Sequence, residues 1–240
     1  VTVSAPARTR TALLGAVCAL ALGVSGCGED PDAGTNGVGK LGADKIHERA
    51  RTAASSAGAV RLSGTVLTSG RTYRLDMRLK EDGGTGTVSS QGTTFQLLRV
   101  GEELYLKADA EFWKQDGDAT AAAGKLDGKY VKIPSGDPSY TKFSGFTDKD
   151  LLLDALLALH GSLSKDGHHE QAGTRTIRIT GDKGAGGTLD VSLKGEPYPL
   201  LLQRAGSAGS LAFSSWGQDF TLTEPPKDET VDYGKQLPAS

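Results

Sequence analysis

Cysteine is almost absent: the 240-residue chain holds two, Cys18 and Cys27, both near its N-terminus. From Gly28 onward there is no thiol, which excludes disulfides, thiolate zinc clusters and cysteine nucleophiles from that part of the chain. Aromatic residues make up only 6%, too few to suggest a stacking platform for bases or sugars. Neither sign of charge dominates, since 27 Lys and Arg against 29 Asp and Glu leave a net charge of −2. Nucleic-acid binders carry a basic patch, so no nucleic-acid partner is expected. Long apolar runs are missing too. The one apolar stretch, Ala12 to Val24, is shorter than the roughly 20 residues a membrane-spanning helix needs.

That stretch is the length of a signal-peptide core, and it follows Arg8 and Arg10, a short basic region. Val24-Ser25-Gly26-Cys27 comes directly after it and resembles the lipobox of bacterial lipoprotein precursors, an aliphatic residue and two small ones before the cysteine that is acylated. The small residues let a peptidase draw an extended backbone into its site. The resemblance implies a lipoprotein signal peptide over residues 1–26, a palmitate-type anchor on Cys27, and a domain held at the outer face of the cytoplasmic membrane. Lipoprotein modification supplies at least two acyl chains, enough for stable anchoring. Gly28 to Gly39 is Gly-rich and acidic with almost nothing to bury, so residues 27–40 are expected to form a flexible tether reaching about 20 Å. Residues 41–240 are expected to form one domain, since no linker divides them and the length suffices for a substantial core.

Within the domain, Ala43 to Ala57 has helical spacing, with Asp44 near its start, Ile46, Ala50, Ala53, Ala54 and Ala57 on one stripe, and Gly58 as a stop. From Val60 the period becomes two. Val60, Leu62, Gly64 and Val66, then Tyr73, Leu75, Met77 and Leu79, alternate with polar residues, and Thr85–Gln91, Thr94–Val100 and Glu103–Ala108 follow across short Gly turns. Such connections make sequential strands antiparallel neighbours, a meander of about five strands. The pattern is interrupted from Asp109 to Lys125, where Asp118–Ala123 suggests a short helix. After a brief strand at Lys129–Ile133, Asp137-Pro138 reads as an N-cap followed by proline at the first helical position. Thr147-Asp148-Lys149-Asp150 resembles a capping box opening a Leu-rich helix that runs to Gly161. Either that helix is a central core helix or it walls a lipid cavity; both readings stay open. Alternation returns at Thr174–Thr180, Leu189–Leu193, Tyr198–Arg204, Leu211–Trp216 and Asp219–Thr223, and the tail after Lys227 is expected to be extended on the surface. The sum is an α+β fold, meander, helical insertion and second meander.

Chemistry-bearing motifs are few. His168-His169-Glu170 lies in the polar segment Ser164–Gly173, read as a flexible loop, and offers no third ligand at useful spacing. His47 and His160 are expected at a helix surface or helix end. Gly181-Asp182-Lys183-Gly184-Ala185-Gly186-Gly187 lacks the Gly-Lys-Ser/Thr ending of a phosphate loop and reads as a hairpin turn. No Gly-x-Ser-x-Gly elbow appears. No metal, cofactor or catalytic residue is assigned.

Three segments carry a family resemblance: Glu103–Lys107 with Phe112-Trp113, Gly128–Pro134, and Leu211–Pro226. They resemble the actinobacterial lipoproteins of the LppX/LprG type, whose LolA-like fold is a curved antiparallel half-barrel with helices on its concave face. The likeness covers roughly Asp44 to Tyr233, and its motifs mark strands and turns. It departs at Leu193–Pro199, which has two prolines and lacks the tryptophan the family places there. What it implies is a carrier of acylated lipids between sheet and helices, with cavity positions at Leu75, Met77, Leu79, Leu104, Leu106, Leu152, Leu153, Leu156, Leu157, Ile177, Ile179, Leu189 and Val191. The alternative is an envelope interaction or sensor lipoprotein of the same fold with a filled core, meeting a protein partner through its exposed strand faces and the mobile Ser164–Gly173 loop. Hydrolysis at the cell wall would need carboxylates converging in a cleft.

Overall fold

Alternation in the sequence becomes a 12-stranded sheet in the computed structural model, which describes residues 1–2, 31–114 and 123–232. The chain divides into Val1–Asp30 and Pro31–Ser240. The expected signal peptide, Cys18, Cys27 and the alanine-rich run 118–122 lie outside the described residues. The strands are β1 (Ala59–Thr68), β2 (Arg71–Lys80), β3 (Gly83–Ser90), β4 (Thr93–Val100), β5 (Glu103–Ala108), β6 (Tyr130–Ile133), β7 (Leu163–Gln171), β8 (Thr174–Gly181), β9 (Thr188–Ser192), β10 (Pro199–Gln203), β11 (Gly209–Ser214) and β12 (Thr230–Asp232). Their order is β12-β6-β5-β4-β3-β2-β1-β11-β10-β9-β8-β7. All neighbours are antiparallel except β12 and β6, which run parallel. The two meanders meet at the β1–β11 seam, and the curved sheet stays unclosed, with β12 and β7 as its edges.

Register explains the core. Ala108, Phe95, Val88, Leu75, Gly64, Leu211, Leu202, Leu189 and Ile179 are successive cross-strand partners from β5 to β8, and every side chain in that row is buried. Period-two alternation places such rows on one face. Gly64 interrupts the row because β11 runs too close to it for a side chain. Its φ is +147°, and a Cβ would stand 2.1 Å from the Ser210 carbonyl oxygen, so only glycine lets the strands curve that closely.

The helices α1 (Ala43–Ser56), α2 (Ala110–Lys114), α3 (Ala123–Leu126), α4 (Pro138–Ser144) and α5 (Lys149–Leu156) share one hydrophobic cluster with the concave face. Ile46, Ala50 and Ala54, spaced four apart on α1, are at most 1% exposed; their small side chains bring the helix close to the sheet. Asp137 caps α4 as expected, accepting from the Ser139 amide at 2.7 Å ahead of Pro138.

The structure corrects the sequence reading in several places. On α5 the cap is Asp148, which accepts from the Leu151 amide at 3.0 Å, while Thr147 donates its hydroxyl to the Ser144 carbonyl at 2.9 Å. The helix ends at Leu156 rather than Gly161, because the next residues join the second meander, where the His160 amide donates to the Gly186 carbonyl at 3.1 Å. His160 is therefore not a helix end. Leu151 is 65% exposed, so the Leu-rich α5 is covered on one side and open to solvent on the other. Ser164–Gly173 is not a loop but largely the edge strand β7, polar throughout because most of its residues are exposed. Asp219–Thr223 forms no strand; it crosses the convex face, with the Phe220 ring 4.4 Å from the Arg78 guanidinium carbon and Glu224 near Tyr105. Beneath this strap Leu98 and Tyr105 are buried on the convex side, and burial, then Glu224, pushes the Tyr105 hydroxyl up from its ordinary value. The tail after Lys227 returns to the sheet as β12. The expected tether is docked from Pro31 onward: Asn36 Nδ2 donates to the Ser192 and Gly195 carbonyls at 3.0 and 2.9 Å, and Val38 is 5% exposed.

On the convex side Arg178 grips Asp190 bidentately, at 2.7 and 2.8 Å, and the Asp190 side chain is 2% exposed. The hydrogen bond to Asp190 raises the Arg178 pKa. Arg178→Met strands a buried carboxylate, and we expect urea denaturation to show a loss of about 3 kcal/mol. Arg178→Met combined with Asp190→Leu should recover part of that loss.

Candidate functional site

The concave interior gathers the sequence-predicted residues. Leu75, Met77, Leu79, Leu104, Leu106, Ile177, Ile179, Leu189 and Val191 line the sheet face, each at most 2% exposed. Leu153 and Leu156 cover them from α5, Leu157 follows that helix, and Leu152 is partly buried against the same cluster. Period two places the strand residues there, and the Asp148 cap sets the rotation of α5 that turns Leu153 and Leu156 inward. At the β4–β5 end, Phe95, Phe112, Phe143 and Trp113 form an aromatic knot with centroids 5.0–5.5 Å apart. The Trp113 indole Nε1 is buried there without a hydrogen-bond partner among the described residues.

A furrow of about 660 Å³ opens between α1 and α5, within the range of roughly 300–1,000 Å³ typical of small-molecule sites. Ala54, Leu153 and Leu157 contribute its apolar part, and Asp44, His47, Glu48, Arg51, Asp150, Leu151 and Asp154 its outer walls. The helices run antiparallel, and polar contacts hold them at both ends. Near the start of α1, His47 Nε2 donates to the Leu157 carbonyl at 2.7 Å. Near its end, Lys149 Nζ donates to the Ser55 and Ala57 carbonyls at 2.7 and 3.0 Å and faces Asp150 at 3.0 Å. Arg51 and Asp154 pair between them. The hydrogen bond from Lys45 holds the Glu48 carboxyl below the usual carboxylate range.

Sequence reasoning missed the Lys149 contact. A lysine in the first turn of a helix meets the wrong end of that helix's own dipole, yet here the side chain reaches the carbonyl-rich C-terminus of α1, where a cation is favoured. Only the packing of α1 on α5 creates that pocket, so no spacing announces it. The histidine pair is drawn apart: His168 Nε2 donates to Asp32 at 3.0 Å, and His169 Nε2 to the Asp166 carbonyl at 3.1 Å. Among the described residues no group of three or more His, Cys, Asp or Glu side chains is placed to hold a metal ion, and no helix is long and apolar enough to cross a membrane. The glycine-rich segment 181–187 is the β8–β9 turn, as expected.

Lys149→Met keeps the stem and removes the charge, leaving the Ala57 carbonyl unpaired. Thermal and urea unfolding should show a loss of about 2 kcal/mol.

No protein-family model matches this chain, and no curated protein sequence matches it. Among solved structures, LprF from Mycobacterium bovis superposes with a TM-score of 0.53 at 14% identity, over 76% of this chain and 96% of that one. The lipoprotein LppX from Mycobacterium tuberculosis gives a TM-score of 0.45 at 17% identity, over 74% and 96%. An uncharacterized conserved protein from Thermus thermophilus gives 0.36 at 12%, over 79% and 98%. The likeness to LprF shows a shared fold: an α+β structure with a curved, unclosed sheet and few helices, as expected from the resemblance to the LppX/LprG type.

Proposed function

We propose that this chain is an extracytoplasmic lipoprotein, acylated on Cys27, that shelters acylated lipid between its sheet and helices. The observation that carries this reading is the row of buried apolar side chains that runs in register from β5 to β8, interrupted at Gly64, on an open, curved sheet, faced chiefly by a helix whose inner stripe, Ile46 aside, is alanine at Ala43, Ala50 and Ala54. A sheet that does not close presents more apolar surface than thin helices can fill, and a hydrocarbon guest gains about 25 cal/mol per Å² it buries. The furrow between α1 and α5, with Leu151 exposed at its wall, is the route by which an acyl chain would reach Leu153, Leu157 and the interior positions named above.

A second reading is favoured by one observation: the sheet-side positions are already in mutual contact in a single cluster, as in an interaction lipoprotein with a filled core. The two differ in whether α1 and α5 part.

The full chain, expressed in a bacterium that processes lipoproteins, should incorporate labelled palmitate, and Cys27→Ala should abolish the label. Native mass spectrometry of the purified chain should show co-purifying lipid masses beyond the anchor, and fluorescent fatty acids should bind. Absence of both sinks the carrier reading. Leu151→Lys should leave stability within about 0.5 kcal/mol, as an exposed surface change does, while slowing probe uptake severalfold; unchanged uptake would move the entry route elsewhere.

A further inference from the structure

The end of the sheet where the docked N-terminal segment begins is shared by several elements. Antiparallel register places the start of β8, the end of β9, the start of β10 and the end of β11 there: Thr176 faces Ser192, Val191 faces Pro199, and Ser214 faces Arg61 near the start of β1. The β1–β2 turn and the β8–β9 turn are at the opposite end. Pro31 is fixed at the first end, because the Arg175 guanidinium donates to its carbonyl, the Asn36 amide donates to the Leu193 carbonyl at 2.9 Å, and the Asn36 side chain holds the loop after β9.

From Cys27 to Pro31 there are only the residues Gly28, Glu29 and Asp30, so the two positions are at most about 14 Å apart when fully extended. Each interfacial layer of a bilayer is about 5–8 Å thick, the difference between the hydrocarbon core and the full membrane shared over two sides. A domain tied to lipid at Cys27 therefore cannot float free; this end of the sheet is held at the headgroups. The loops there are suited to that place. Tyr198 and Trp216 stack with centroids 4.9 Å apart and planes within 5°, both are half-buried, and Trp216 Nε1 donates to the Pro199 carbonyl at 2.9 Å. An amphipathic aromatic pair with one side packed on protein and the other open is what membrane interfaces enrich. Exposed charges beside it are mixed, Lys194 and Arg175 against Glu196 and Glu170, so no demand for anionic lipid is built in.

We propose that the rim formed by the Lys194–Tyr198 loop and Ser215–Gly217 is a membrane-docking surface that rests on the zwitterionic headgroup layer of a phospholipid bilayer and fixes the orientation of the domain. This rests on the reading of Cys27 as acylated.

The test uses the full chain, lipidated in its host and reconstituted into phosphatidylcholine vesicles. In separate variants, Lys194→Cys on the rim and Arg71→Cys at the far end carry an environment-sensitive NBD fluorophore. Cys27 is blocked by its thioether in the lipidated protein. The rim label should brighten at least twofold and shift to the blue on vesicles, the Arg71→Cys label should not, and adding phosphatidylglycerol should change neither. Independently, Trp113→Phe leaves Trp216 as the sole tryptophan, and lipids brominated near the glycerol should quench it. An anchored, palmitate-bearing chain whose rim label and Trp216 behave as in buffer overturns the proposal. A chain that takes no palmitate and fails to float with vesicles overturns instead the acylation on which it rests, and the labelling tells the two results apart.

Discussion

An apolar sheet that curves without closing has to be covered, and the placing of the helices answers to that requirement. The concave row from Ala108 to Ile179 would face water if its covering helices were lifted, α2 and α4 from the Phe95 end and α1 and α5 from the rest. The covering helices pack into the hydrophobic cluster and are fastened to each other by polar clasps. Lys149 ties the end of α1 to the start of α5, and His47 ties the start of α1 to the end of α5. Carbonyls at helix ends lack partners within their own helix, so each clasp satisfies a group that would otherwise be left wanting. The lid and its fastening are thus one arrangement.

The sheet's edges need a different treatment, because unpaired strand edges invite other strands. At one edge β7 is polar after Leu163, shifted in register between Lys165 and His168, and flanked by the docked segment through Asp32 and His168. At the other, β6 is covered by the short parallel β12, which the chain reaches only after crossing the convex face. Both termini of the described domain serve as edge guards.

Much of this was legible in the sequence, and the exceptions share a cause. β1 to β5 were readable because one of their faces is buried and the other mostly wet, which writes alternation into the residues. β7 was not, because most of it is wet on both faces and its sequence looks like a loop. Asp219–Thr223 alternates like a strand, yet its apolar residues pack down onto the convex face and pair with no neighbour; alternation reports a buried side, not a hydrogen-bonded partner. Pro31–Gly39 is Gly-rich and acidic, and its docking depends on Asn36 and Arg175 finding carbonyls more than 140 residues apart in sequence. The interior positions were found by periodicity, whereas Lys149 and the Arg51–Asp154 pair exist only once two helices lie side by side.

The seam between β1 and β11 has a consequence for the order in which the chain can be completed. β1 is made early and pairs at once with β2, but its other flank waits for a partner about 150 positions later, Arg61 for Ser214 and Val66 for Gly209. Contacts of such sequence separation form slowly. A chain threaded from its N-terminus through a membrane would emerge with its first meander able to fold and with the central strand of the finished sheet still an open edge. The interval before β11 arrives is when this protein is most vulnerable to mispairing, and completion of its sheet is therefore timed by a strand made late in the chain.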